Sequence, residues 1–268
     1  MDNNATTEDC SSPYFLDTST QISRHWHDEN TAQKVRADLF RKQLRCSIYV
    51  ERQYRCRVLN ALIFFHIIVK AEEDIEQAKQ RLEKCRHKIA LDDLVYKVGM
   101  RLFKKYNSQK PLLRYLKKLI EVDWENFFYD AVSRSLCDMT NCTRGAEAPQ
   151  MIEQGYYLRI SKECPENCKI CEFWQAKKDD LQNLSQIDAS KFTKINDPKG
   201  TMREIQAEAV AILNGKSPHG EPCRETLSDA VISIEARDSY PGITIHTMDS
   251  DFELLKEVLK TKVRLFKA

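Results

Sequence analysis

The carboxyl-terminal stretch from Ser228 to Phe266 constrains the fold more than any other part of the chain. Ser228 can cap a helix running to about Arg237, and Ile243-Thr244-Ile245-His246-Thr247 then alternates as a strand. Ser250 with Glu253 has the spacing of a capping box, and Val263-Arg264-Leu265-Phe266 reads as a second strand. A strand joined to the next strand through a helix predicts a parallel pair, because antiparallel neighbours need only a tight turn. Near the other end, Tyr14-Phe15-Leu16 is a short apolar strand, and Thr18 with Gln21 repeats the capping-box spacing. These segments predict an α/β fold: a parallel sheet flanked by helices. In such sheets ligands bind beyond the carboxyl ends of the strands, where Asp17 and Asp249 stand.

The interior of the chain reads as mostly helical. From about Ser47 to Arg86, Val50, Tyr54, Val58, Leu62, Phe65 and Val69 recur every three or four positions as the buried stripe of one long helix. Further helices are expected at about 91–106 and 111–136. Residues 137–174 hold five of the ten cysteines and read as a loop-rich, cysteine-containing insertion, followed by a polar stretch to about residue 200. Another helix is expected from Met202 to Leu213, ended by Gly215.

Composition narrows the functional classes. With 268 residues, 42% of them apolar and 31% charged, the chain can bury a sizeable core. Residues 1–12 read as a flexible tail without the basic start and apolar run of a secretory signal. The longest apolar stretch, Val58 to Val69, contains Asn60 and His66 and falls short of the roughly 20 residues that cross a bilayer. A cytoplasmic protein without membrane partners is expected. Forty-two basic residues against forty acidic ones give a net charge of +2, so only local charge bears on a polyanionic partner. Gly215-Lys216-Ser217 imitates the end of a P-loop, but Val210 occupies the place of its first glycine, which argues against a nucleotide cradle.

The acidic residues at the predicted strand ends are the sharpest functional signal. Thr18 and Ser250 are expected to supply the cap oxygens, leaving Asp17 and Asp249 for other work. Asp229 lies in the first turn of its helix, where the dipole favours a carboxylate, and Glu51 lies near the start of the long helix. Here the residues carry a resemblance. Tyr14 to Ser19, YFLDTS, resembles the opening strand of a PIN-domain nuclease, and Ser47 to Glu51, SIYVE, resembles the helix that brings its second acid. Ser228-Asp229-Ala230-Val231-Ile232, followed by Ile243 to Phe252, is similar to the family's third acid, its strand and its Thr-x-Asp-x-Asp-Phe ending.

The resemblance implies a metal-dependent endonuclease, usually an endoribonuclease, acting on RNA or single-stranded DNA. Asp17, Glu51, Asp229 and Asp249 would hold Mg²⁺ or Mn²⁺, whose preference for hard oxygen ligands suits carboxylates. Asp251 would ligate or orient through water, and Thr18, Ser19 and Thr247 would hydrogen-bond the carboxylates or the attacking water. It also implies one PIN-like domain over residues 13–268, interrupted at about 107–200 by the insertion. The alternative is a PIN-like interaction module without turnover, and either version admits a regulatory or inhibitory protein partner.

Two further motifs stand outside that resemblance. Cys164, Cys168 and Cys171 have the Cx3CxxC spacing of radical enzymes, but only 97 residues follow Cys171, too few for the barrel such enzymes need. A structural Zn²⁺ suits the spacing better, with Cys142, or Cys137 as alternate, joining the trio. Arg101 to Lys118 contains seven basic residues and no acidic one. Its Lys104, Lys105, Lys110, Arg114, Lys117 and Lys118, interleaved with Phe103, Tyr106 and Tyr115, read either as a solvated helical face or as a nucleic-acid-binding strip that grips phosphates and stacks bases.

Overall fold

The computed structural model describes residues 13–88, 93–144, 147–153, 155–158, 168–188, 197 and 200–267. Along the chain, β1 (Tyr14–Leu16) leads into α1 (Thr18–Trp26) and α2 (Glu29–Asp38). Then β2 (Leu44–Arg45) leads into α3 (Ile48–Ala71), which is followed by α4 (Ile75–Lys88), α5 (Asp93–Lys105) and α6 (Gln109–Lys118). A π-helical turn, Leu119–Asp123, continues into α7 (Trp124–Phe128). The antiparallel pair β3 (Gln150–Ile152) and β4 (Gly155–Tyr157) precedes α8 (Ile170–Ala176), α9 (Lys178–Ser185) and α10 (Thr201–Leu213). A second π-helical turn, Pro222–Thr226, leads to α11 (Ser228–Ser239), β5 (Thr244–Thr247), α12 (Asp251–Leu259) and β6 (Lys262–Leu265).

The fold is mixed α/β and mostly helical, around a four-stranded parallel sheet of order β2-β1-β5-β6. The two ends of the chain meet in it, with Phe15 opposite Ile245 and Leu16 opposite His246. Phe15 and Leu16 are wholly buried, consistent with a parallel strand covered on both faces. That register brings the carboxyl ends of β1 and β5 side by side, so Asp17 and Asp249 enter one neighbourhood. The parallel pair expected at the carboxyl end is present as β5–α12–β6, and Arg237 lies in the last turn of α11.

Helix α3 is the fold's axis. Its stripe of Val50, Tyr54, Val58, Leu62, Phe65 and Val69 is buried throughout. At roughly 1.5–3 kcal/mol per fully buried large apolar side chain, this stripe does more to hold the helix than propensity. At Gly99 of α5 an added Cβ would lie 2.4 Å from Leu82 and 2.9 Å from Phe65, so glycine permits the close approach of α3, α4 and α5.

Several expected boundaries move. The single helix expected to reach Arg86 is two, because Asp74 accepts from the amide of Gln77 and starts α4, while the Gln109 amide group donates to the Val69 and Glu72 carbonyls and closes α3. The helix expected over 111–136 ends at Phe128, and residues 132–137 instead bridge to the edge of β2 at Leu44 and to Ser47. Helix α9, with Leu181 and Leu184 buried, occupies part of the stretch expected to be irregular. Neither α2 nor the two-residue β2 was expected. Among the described residues no helix is long and apolar enough to cross a membrane.

Candidate metal centre

Asp17 follows β1 and is 2% exposed. Its side chain, not that of Thr18, caps α1: Oδ1 accepts from the Thr20 amide at 2.8 Å. Oδ2 accepts from Ser19 Oγ at 2.7 Å and from Thr247 Oγ1 at 2.9 Å. The expectation that Thr18 would cap and release Asp17 is thus corrected. Thr18 Oγ1 donates instead to Gln53 Oε1 at 2.7 Å, which ties α1 to α3. Burial pushes the Asp17 carboxyl up, and the Ser19, Thr20 and Thr247 bonds only partly offset it.

The same web reaches the next acid. The Met248 amide donates to Ser19 Oγ at 3.0 Å, and the Asp249 amide donates to Thr247 Oγ1 at 2.8 Å. At the start of α12 the N-cap position is Ser250, which makes no side-chain cap bond, and Asp249 Oδ1 just before it accepts from the Asp251 amide at 3.1 Å. Thr201 at the start of α10 donates to Asp251 at 3.3 Å. Asp229 enters from the first turn of α11, whose N-cap position is Leu227 rather than Ser228.

Asp229, Asp249 and Asp251 each offer a carboxylate oxygen, and these atoms lie within 4.8 Å of one another. Together with Asp17 they line one cavity of about 550 Å³. Burial, then the charges of Asp249, Asp17 and Asp251, push the Asp229 carboxyl up to about 8. Such crowding of like charges is relieved by a cation, and an all-oxygen donor set of this kind fits Mg²⁺ or Mn²⁺ rather than a softer metal.

Glu51 is not brought to this cavity. Glu51 and Gln53 are two positions apart on α3 and so point about 200° apart around it. Gln53 and Arg57, one turn further, line the cavity, while Glu51 is buried beside Arg52 at 3.3 Å. Burial raises the Glu51 carboxyl, against the pull of Arg52 and Arg55.

The cavity also holds residues that the sequence reading passed over. Glu204 of α10 and Glu221 and Glu225 near the second π-helical turn add carboxylates, while Arg57 and Arg144 bring two guanidinium groups. Arg144 belongs to the cysteine-bearing segment. That segment is pinned to the sheet side of the fold, since the Ile48 amide donates to the Cys137 carbonyl at 2.9 Å and the Met139 amide to Glu235 at 3.2 Å. Arg57, Arg144 and the three glutamates had no local signal, because they join the aspartates only through the meeting of separate parts of the chain.

The cysteines divide. Cys164 lies outside the described residues. Cys137 is held at the sheet edge, its amide donating to the Cys46 carbonyl at 3.3 Å. The Lys169 amide donates to the Thr140 carbonyl at 3.0 Å, which sets the Cys142 loop against the turn that carries Cys168 and Cys171. Cys171 Sγ lies 3.1 Å from His219 Nε2, a partner 48 positions away that spacing alone did not suggest.

The basic strip divides as well. It turns between α5 and α6, so it is not one face. Lys105 at the end of α5 sits over the Tyr106 and Tyr115 rings, and Lys118 pairs with Asp123 at 3.0 Å. Phe103 packs edge-on against Phe65, and Tyr106 packs against Tyr115, so these aromatics serve the interior and correct the expectation that they stack bases. Lys110, Arg114 and Lys117 line a separate groove.

No protein-family model matches the chain, and neither a curated protein nor a solved structure is significantly similar to it.

Proposed function

We propose that the protein is a metal-dependent endonuclease that hydrolyses phosphodiester bonds in RNA, built as a PIN-like domain with residues from about 107 to 200 as its elaboration. One observation carries the reading: Asp17, Asp229, Asp249 and Asp251 share a cavity with Arg57 and Arg144. Carboxylates that crowd together call for a cation, and guanidinium groups across the same space call for an anion. A phosphodiester with a divalent metal satisfies both at once. RNA, rather than DNA, follows the family resemblance.

Asp229, Asp249 and Asp251 would hold Mg²⁺ or Mn²⁺ through carboxylate oxygens. When bound, the ion polarises the phosphoryl group and makes water more acidic. Asp17, which accepts from Thr20, Ser19 and Thr247 and lines the same cavity, would orient the ion or the attacking water. Ser19 and Thr247 hold that carboxylate in place and couple it to the Met248 and Asp249 backbone. Arg57 and Arg144 would neutralise the phosphate, Arg144 in a manner that makes the cysteine-bearing segment part of the site. A structural Zn²⁺ with Cys171 and His219 among its ligands, Cys142, Cys164 and Cys168 being the remaining candidates by sequence spacing, is proposed to keep that segment in place.

The deciding experiment incubates purified protein with RNA and with single-stranded DNA in Mg²⁺, Mn²⁺ or chelator. RNA cleavage that needs a metal and is lost in Asp249→Asn supports the reading. Metal binding without cleavage of either polymer would assign the fold to an interaction module instead.

A further inference from the structure

A groove of about 510 Å³ lies at the far end of α3 from the acidic cavity. Helix α6 places Lys110, Arg114 and Lys117 on one face, at i, i+4 and i+7, all exposed, with Leu112 and Leu116 buried behind them. Lys70 joins them from α3. The remaining wall comes from His66, Leu113, Gly155, Tyr156 and the 62% exposed Met151. Among the described residues no carboxylate lines the groove; Glu121 stands at its rim, accepting from the Tyr156 hydroxyl at 2.6 Å with Lys117 Nζ at 4.0 Å.

The segment between cavity and groove follows α3. Arg144 lines the cavity, the Glu147 carbonyl accepts from Arg55, the Glu153 carbonyl accepts from Lys70, and Gly155 packs on His66 and Ile67. Arg57 and Lys70 are thirteen residues apart on one helix, about 20 Å along its axis and about 220° around it, so a strand that reaches both also passes around α3. An anionic polymer, unlike a small phosphate, reaches both places.

We propose that this groove is a second contact for a single-stranded polynucleotide, with Lys70, Lys110, Arg114 and Lys117 taking backbone phosphates and Met151 and Leu113 offering an apolar surface to bases. Four lining cations give the charge complementarity, and the apolar floor suits base faces, which bind without sequence preference. The inference rests on the nuclease reading only for the identity of the strand held at the cavity. It predicts that affinity depends on length: an oligonucleotide too short to span about 20 Å gains nothing from the groove.

The test measures fluorescence anisotropy of labelled oligouridylates of two and twenty nucleotides without added Mg²⁺ or Mn²⁺, where metal-dependent cleavage is silent and structural zinc is retained. Replacing Lys110, Arg114 and Lys117 together by Gln is expected to weaken binding of the twenty-mer about tenfold and to flatten its log–log salt slope by about 2, at roughly 0.7 per phosphate contact. The dinucleotide should lose much less. Lys104→Gln, Lys105→Gln and Lys118→Gln together, outside the groove, control for net charge, and circular dichroism confirms the fold. Equal loss in both variants, an unchanged salt slope, or binding of polyglutamate in preference to the twenty-mer would overturn the proposal. Groove-dependent binding by a protein that never cleaves would leave it standing while the nuclease reading fell.

Discussion

The two ends of α3 carry opposite chemistry and are built by different rules. At the amino-terminal end, the acidic cavity is assembled from helix starts and strand ends whose side chains are held by a connected web: Ser19, Thr20 and Thr247 on Asp17, then Thr247 on the Asp249 amide. At the other end, exposed lysines and an arginine stand on one face of α6 with few fixed partners. Chemistry on a phosphodiester demands atoms held within fractions of an ångström, so it needs the web. Raising occupancy demands only charge, so side chains that swing suffice.

The harshest way to break this contrast is at the web's centre. Asp17→Asn or Asp249→Asn should reduce metal-dependent cleavage by at least about a hundredfold while the fold survives, because each removes a ligand charge rather than packing. Cleavage within a few-fold of wild type in either variant would sink the site. The groove variant should act differently, raising KM for long RNA about tenfold in steady-state kinetics, where the acid variants lower kcat.

The segment joining the two regions supplies the next test. If Cys168, Cys171 and His219 bind zinc, elemental analysis should find close to one zinc per chain, and Cys171→Ser should lose it and lower the melting temperature by several degrees, corresponding to about 1–3 kcal/mol. Zinc-free protein that melts as before would leave Cys171 and His219 as a hydrogen-bonded pair. Smaller still, Glu51→Gln should change cleavage by less than about threefold, since Gln53 rather than Glu51 faces the cavity. A loss equal to that of Asp249→Asn would show that α3 turns its other face to the substrate.

The mildest effect concerns Glu235, which anchors the Met139 amide and contacts Ser47, the cap of α3. Burial pushes its carboxyl up to about 8. Because the unfolded chain ionises this group near its ordinary value of about 4.3, its contribution to stability is full below that pH and is lost as the pH rises through about 8. Glu235→Gln keeps an acceptor for Met139 and removes the titration. In urea unfolding the variant should gain on wild type between pH 5 and pH 8.5, by at least about 1 kcal/mol. A difference that stays constant across that range contradicts the assignment.

How far the molecule was legible in its sequence follows the range of the forces involved. Strand β5, helix α12 and strand β6, the buried stripe of α3, and the placing of Asp17 and Asp249 at strand ends all follow from periodicity and short-range punctuation, which act over a few residues. Even so, local rules named the wrong caps. Thr18 and Asp17 are both competent cap residues one position apart, and the choice fell to Asp17 once Thr18 was engaged by Gln53 of a different helix. The same holds for α3, whose pattern determines which apolar stripe is buried but not which polar side chain, Glu51 or Gln53, meets the end of a sheet made of distant segments. Arg144 at the cavity, His219 beside Cys171 and the bend that splits the basic strip belong to this second kind. Tertiary structure alone decided them, because rotation about a helix axis and the meeting of remote loops are set by packing of the whole core, which no short window of sequence contains.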